Sequence, residues 1–154
     1  MKSAQAWLDE YGESHQDHTN KLIHWICVPL IVWSVVALIW SIPSPWTSIS
    51  PWLNWAVAMA VLAQLWYIRM SPKLSVGIGL FMLLCLGLCY WVETTFATPL
   101  WIVALIIFVG AWIGQFIGHK IEGQKPSFFK DIQFLLIGPA WLMAFVYKRA
   151  GLSY

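Results

Sequence analysis

Four long apolar runs, charged only at Arg69 near the end of the second and joined by connections too short to fold on their own, constrain this chain more than any other feature. They cover about 25–42, 52–70, 74–92 and 99–118, each near the ~20 residues a helix needs to cross a bilayer. Only 10% of the 154 residues are charged, whereas a soluble domain carries about 25%. The composition therefore predicts an all-α integral membrane protein with one membrane domain over 1–154, because lipid leaves no backbone group free to go unpaired. Trp25, Trp40, Trp46, Trp52, Trp91, Trp101 and Trp141 fall near expected span ends, with Trp33 and Trp55 deeper; tryptophan favours the headgroup boundary. A net charge of +2 without a basic stripe speaks against nucleic acid as a partner.

The rest of the chain is punctuated by proline and glycine. Residues 3–18 predict a short interfacial helix with Trp7, Leu8 and Tyr11 on its apolar face. Pro43 and Pro45 stop the first span, in whose early turns Pro29 lies. Gly77, Gly79 and Gly87 favour close approach in the third span, as does Gly110-x-x-x-Gly114 in the fourth. A last apolar stretch, 132–147, is short for a span and is expected to break at Gly138-Pro139. It reads as a re-entrant hairpin, an interfacial helix or a fifth spanning helix. The N-terminus has no apolar signal core, so the first span is expected to direct insertion. Cys27, Cys85 and Cys89 read as small buried hydrophobes.

Basic residues orient the spans. Arg69 and Lys73 lie between the second and third, and Lys120, Lys125 and Lys130 follow the fourth. The 43–51 connection has no charge and the 93–98 connection only Glu93. Four spans with the N-terminus inside place every basic loop in the cytoplasm. The membrane is then a bacterial inner membrane, or the endoplasmic reticulum in a eukaryote.

That topology brings all four histidines to one face. His15, His18 and His24 precede or open the first span, and His119 closes the fourth. Histidine is the commonest metal ligand and is costly near lipid without a partner, so convergence at one face points to a metal site. Nine residues of straight helix set His15 and His24 on opposite sides. The chain must therefore bend, and Asp17 to Asn20 is the expected place, with Asn20 as a cap or an outer-shell partner. Gln115, His119 and Glu122 follow i, i+4, i+7 and form a polar stripe. His15, His24 and His119 are the candidate ligands, His18 and Glu122 further candidates, and Asn20, Gln115 and Glu122 candidate outer-shell partners. Lys120 and Lys125 are placed to attract an anionic headgroup. The plainer readings are interfacial anchoring for His18, positive-inside signals for the lysines, and a lysine partner for Glu122.

The segment from Tyr11 to Pro29 has the form H-x4-N-x3-H-x4-P, and Gln115-Phe-Ile-Gly118-His119 is followed by Glu122 and Pro126. With Gly138-Pro139, these motifs resemble the small membrane family of 2-hydroxy fatty acid dioxygenases, formerly a domain of unknown function. The resemblance covers nearly the whole chain. It implies an Fe(II)-dependent α-oxidation in which a 2-hydroxy fatty acid and O2 give an acid one carbon shorter. On this resemblance His15, His24 and His119 match the family histidines, and Asn20, Gln115, Gly118, Glu122 and Pro126 match flanking positions; His18 matches none. Three imidazoles leave open positions on six-coordinate iron for a bidentate 2-hydroxy acid and for O2. The rivals are a bis-histidine haem protein and a non-enzymatic lipid-binding or scaffolding protein. Four histidines are too few for a di-iron hydroxylase.

Overall fold

The computed structural model describes residues 2–126 and 133–154. The described residues form six helices and no strand: α1 Ala4–Glu13, α2 His18–Trp40, α3 Trp55–Met70, α4 Pro72–Thr95, α5 Leu100–Glu122 and α6 Phe134–Arg149. Three of these, α2, α4 and α5, are long and apolar enough to cross a membrane. The expected second span is realised as α3, which starts at Trp55 and has only 16 residues. Lys130 of the basic loop and the expected start of the last apolar stretch at Ile132 lie outside the described residues.

Local chemistry sets the helix ends. Ser3 Oγ accepts from Ala6 N and opens α1, which ends at Glu13 rather than at 18. Asp17 then accepts from the backbone N–H groups of Thr19 (2.8 Å) and Asn20 (3.0 Å) and opens α2. The bend between His15 and His24 thus occupies Ser14–Asp17, with Asp17 as the cap. Asn20, expected at that post, sits inside the first turn of α2 with its side chain buried. Asn54 caps α3, and Ser71 ends α3 and caps α4, with Pro72 supplying the fixed φ of a first helical residue. Gly123 closes α5 at φ 73°, a left-handed conformation that suits glycine.

The helices alternate in direction, so the end of α5 returns to the start of α2. These two make the most extensive contact in the molecule. A Cβ at Gly114 would lie 2.6 Å from Cys27 Sγ, and one at Gly118 would collide with Asn20 Oδ1. Close approach therefore depends on Gly114-x-x-x-Gly118, one turn beyond the expected pair; Gly110 meets nothing within 4 Å. Gly77 packs tightly against Met143 and Tyr147 and Gly79 against Gln64, whereas Gly87 faces open space. Only 39%, 28% and 22% of the apolar windows of α2, α4 and α5 are buried, so leucines and isoleucines cover the outer faces. Such a surface is unfavourable in water and natural in lipid.

Two apolar clusters fill the bundle. One, centred on Ala37, Ala56, Cys85, Cys89 and Ala104, joins α2 to α5 away from the histidines, and all three cysteines are buried as expected. The other joins α1, α6 and the neighbouring ends of α2, α3 and α4 through Leu8, Tyr11, Val28, Leu74 and Ile137. Helix α6 runs unbroken through Pro139, where a break was expected. Tyr67 O–H donates to Leu136 O at 2.7 Å, next to Leu135, whose carbonyl Pro139 leaves without its helical donor. Phe134, at one end of α6, packs on Trp7, while Tyr147 O–H, near the other, donates to Lys73 O at 2.7 Å. Both ends of α6 are thereby tied to the end of the bundle where α1 lies and α3 turns into α4.

Candidate metal centre

His15 lies in the turn between α1 and α2, His24 in the second turn of α2, and His119 in the last turn of α5. They converge. One ring nitrogen from each falls within 4.8 Å of the others, and all three side chains are buried. His15 Nε2 and His24 Nε2 are 2.8 Å apart, and the His119 ring centroid is 5.0 Å from that of His15 and 4.9 Å from that of His24. Nitrogens bound at ~2.1 Å to one cation sit roughly 3 Å apart; the His15–His24 pair has about that spacing, and the His119 ring lies close beside it.

The opposite ring edges decide what the inward nitrogens can do. His15 Nδ1 donates to Tyr11 O at 2.6 Å, and His24 Nδ1 donates to Asn20 O at 2.9 Å. Both protons are thereby assigned to the outer edge, and both Nε2 lone pairs point inward at each other. Two lone pairs at that distance repel unless a proton or a cation lies between them. His119 Nδ1 is buried and has no hydrogen-bond partner among the described residues. Burial, reinforced by the neighbouring His24 and His119, pushes the His15 pKa down to about 3, although its bond to Tyr11 O opposes this. It is therefore neutral at pH 7, the state that metal binding requires. The donor set thus fits a divalent metal of the imidazole-binding class.

Packing holds this geometry. Tyr11 stacks on His15 with ring centroids 4.2 Å apart and planes 13° apart, and Trp141 of α6 lies 5.3 Å from the same ring. Burial raises the Tyr11 phenol well above its ordinary pKa, so it stays protonated. Glu122 fastens the turn to α5. Its Oε1 accepts from Gln16 N at 2.8 Å, and its Oε2 accepts from Asp17 N and Asn20 Nδ2, both at 2.9 Å. With both oxygens engaged and pointed at the start of α2, Glu122 stands outside the histidine cluster, and its partners are these amides, not a lysine.

The remaining candidates divide. His18, at the exposed first position of α2, does not join the others. Lys120 and Lys125 are exposed and line an open groove that His119 shares. Gln115 is buried beside His24 and His119, but no hydrogen bond ties it to either, and its Oε1 has no partner among the described residues. Trp141, expected as an interfacial anchor, is buried over the site, and Trp55 is exposed at the start of α3 rather than deep. No local pattern marks Trp141 as a neighbour of His15; only the docking of α6 brings it there.

The fold and the cluster define a class: a helical protein of membrane-like surface whose buried three-histidine centre is able to hold a metal ion. The chain belongs to the family described as 2-hydroxy-palmitic acid dioxygenase Mpo1-like, whose model matches residues 1–150. That name points to a dioxygenase, in keeping with the motif resemblance. No curated protein and no solved structure matches the chain.

Proposed function

We propose that this protein is an Fe(II)-dependent dioxygenase that shortens 2-hydroxy fatty acids by one carbon at the cytoplasmic face of a membrane. The observation that carries the reading is the convergence of His15, His24 and His119 with their lone pairs inward, in a chain of this family. With CO2 and water as the other products, atoms and electrons balance on O2 alone, and no outside reductant is needed. Ferrous ion, when bound, supplies electrons to O2 and open positions for the substrate's carboxylate and hydroxyl.

The chain's own residues do the rest. Tyr11 and Asn20 hold two imidazoles by backbone carbonyls, and Glu122 locks the turn that carries His15. Tyr11 and Trp141 cover the His15 ring and exclude water. A cavity bounded by His24 and His119 continues along Val28, Ile31 and Val32 of α2, an apolar path for the first carbons of an acyl chain. Lys120 and Lys125 attract the carboxylate from the open groove. In this reading one domain sits in the membrane with four helices crossing it, α3 among them, and α6 lies along the surface. The basic residues Arg69, Lys73, Lys120 and Lys125 sit at the histidine end and support a cytoplasmic side for it, in a bacterial inner membrane or in the endoplasmic reticulum.

A bis-histidine haem is disfavoured by the 2.8 Å between His15 Nε2 and His24 Nε2, which leaves no room for a macrocycle. The deciding experiment is metal analysis and turnover of detergent-purified wild type beside the H15A/H24A/H119A variant. Expected are about one iron per chain without a Soret band, and ferrous- and O2-dependent conversion of 2-hydroxypalmitate to the fifteen-carbon acid. The variant loses both. Equal metal content in the two proteins, or a wild type that releases no shortened acid, rules the reading out.

A further inference from the structure

Gln115 is 7% exposed, and its Oε1 is wholly buried without a hydrogen-bond partner among the described residues. It lies one helical turn before His119 and shares a cavity with His24, His119, Val28 and Val32. A buried acceptor left without a donor is costly, and although Tyr11 and Trp112 line the same cavity, neither donates to this oxygen. Its position beside both histidines, rather than bonded to either, marks it as a group waiting for a ligand. The ligand must bring a proton to an acceptor close to where its carboxylate meets the histidines.

Resting on the function proposed above, we propose that Gln115 is a specificity-determining residue: its amide oxygen accepts the proton of the substrate's 2-hydroxyl and selects 2-hydroxy acids over unsubstituted and 2-oxo acids. The chemistry is discriminating. An unsubstituted acid presents only C–H at C2, and a 2-oxo acid presents a second acceptor, so either leaves the amide oxygen unpaired or opposed. A site built to pair a substrate hydroxyl rejects analogues that lack it more sharply than an apolar pocket rejects a changed methylene. The hydroxyl oxygen keeps its own lone pairs free while its proton is held.

The test is ligand binding by the full-length, iron-loaded protein in nanodiscs without O2, with 2-hydroxypalmitate, 2-oxopalmitate and palmitate as probes, repeated on metal-free protein. Comparing one ligand across variants cancels its partition into lipid. Q115L is expected to bind 2-hydroxypalmitate on the order of ten- to a hundredfold more weakly, with palmitate and iron content unchanged. Q115N, whose amide sits one methylene short, falls between and decides the matter if Q115L does not fold. The hydroxyl preference of metal-free wild type is expected to vanish in Q115L. Equal weakening for all three acids, or an unchanged preference, overturns the assignment. Wild type that makes shortened acid while Q115L keeps the hydroxyl preference sinks this inference alone; wild type that makes none sinks the parent reading.

Discussion

The two ends of the bundle treat their polar groups differently. At the end away from the histidines, Trp40 Nε1 donates to Glu93 at 2.9 Å, Ser44 Oγ to Leu53 O at 3.0 Å, Asn54 Nδ2 to Pro51 O at 2.7 Å and Trp55 Nε1 to Pro43 O at 3.1 Å. Trp40, Trp52 and Tyr90 add ring-to-ring packing. Every one of these contacts closes on a neighbour and serves the fold. At the histidine end, Asn20 Oδ1, Gln115 Oε1 and His119 Nδ1 are buried without partners among the described residues, and two imidazole lone pairs face each other. Unpaired buried polar atoms cost about 1–3 kcal/mol each. Trp33 Nε1 in the far cluster is also buried without a partner among the described residues, so the contrast is one of density: three such atoms gather around the histidines.

The largest break in this asymmetry is the loss of metal and turnover in H15A/H24A/H119A, against which W40F at the far end leaves iron content untouched. Acid comes next. His15 is neutral when folded, with its pKa near 3, and ordinary when unfolded. The unfolded chain therefore takes up the proton first, so metal-free protein is expected to hold constant stability above about pH 6.5, lose it steadily toward pH 3, and level off below. Thermal melts across that range check it, and H15Q should lessen the slope by the share that His15 contributes. A slope unchanged in H15Q assigns the effect to other groups.

Smaller effects sharpen the picture. Gly118→Ala forces a methyl into Asn20 and is expected to cost about 1–3 kcal/mol and to lower metal occupancy by shifting His119. Gly110→Ala, in open space, is expected to be neutral or slightly stabilising, so equal melting shifts for the two would refute the α2–α5 register. Glu122→Gln keeps the shape but loses charge-assisted bonds to three N–H groups. About 1–2 kcal/mol of stability and roughly ten- to a hundredfold of metal affinity should go, read by melting and by chelator competition. Trp40→Phe removes one hydrogen bond, worth about 1 kcal/mol, and leaves chelator competition unchanged.

Much of the layout was legible before any coordinates. The apolar runs marked α2 to α5, and charge bias placed the histidine segments on one side. Helix ends were less legible, because α2 begins at a cap, Asp17, inside a segment expected to be helical to residue 18 and to bend over Asp17 to Asn20. Glu122 followed the stripe of Gln115 and His119, yet it turns aside to clamp Gln16, Asp17 and Asn20. Its distinctive partners are backbone amides a hundred residues away, which no local pattern exposes. The continuity of α6 through Pro139 likewise shows only in the tertiary structure.

Hydrophobicity and helix chemistry are local properties, so the sequence by itself determined that the chain is helical, where its long helices run and which residue types meet at one end. Distance and direction are not local. Only the close fit of α5 on α2 at Gly114 and Gly118, and the docking of α6 over Tyr11, decided that three imidazoles share one point while His18 stays outside and Gln115 is left with an open acceptor. A ring nitrogen's usefulness depends on what its other edge binds, and that partner is chosen by packing.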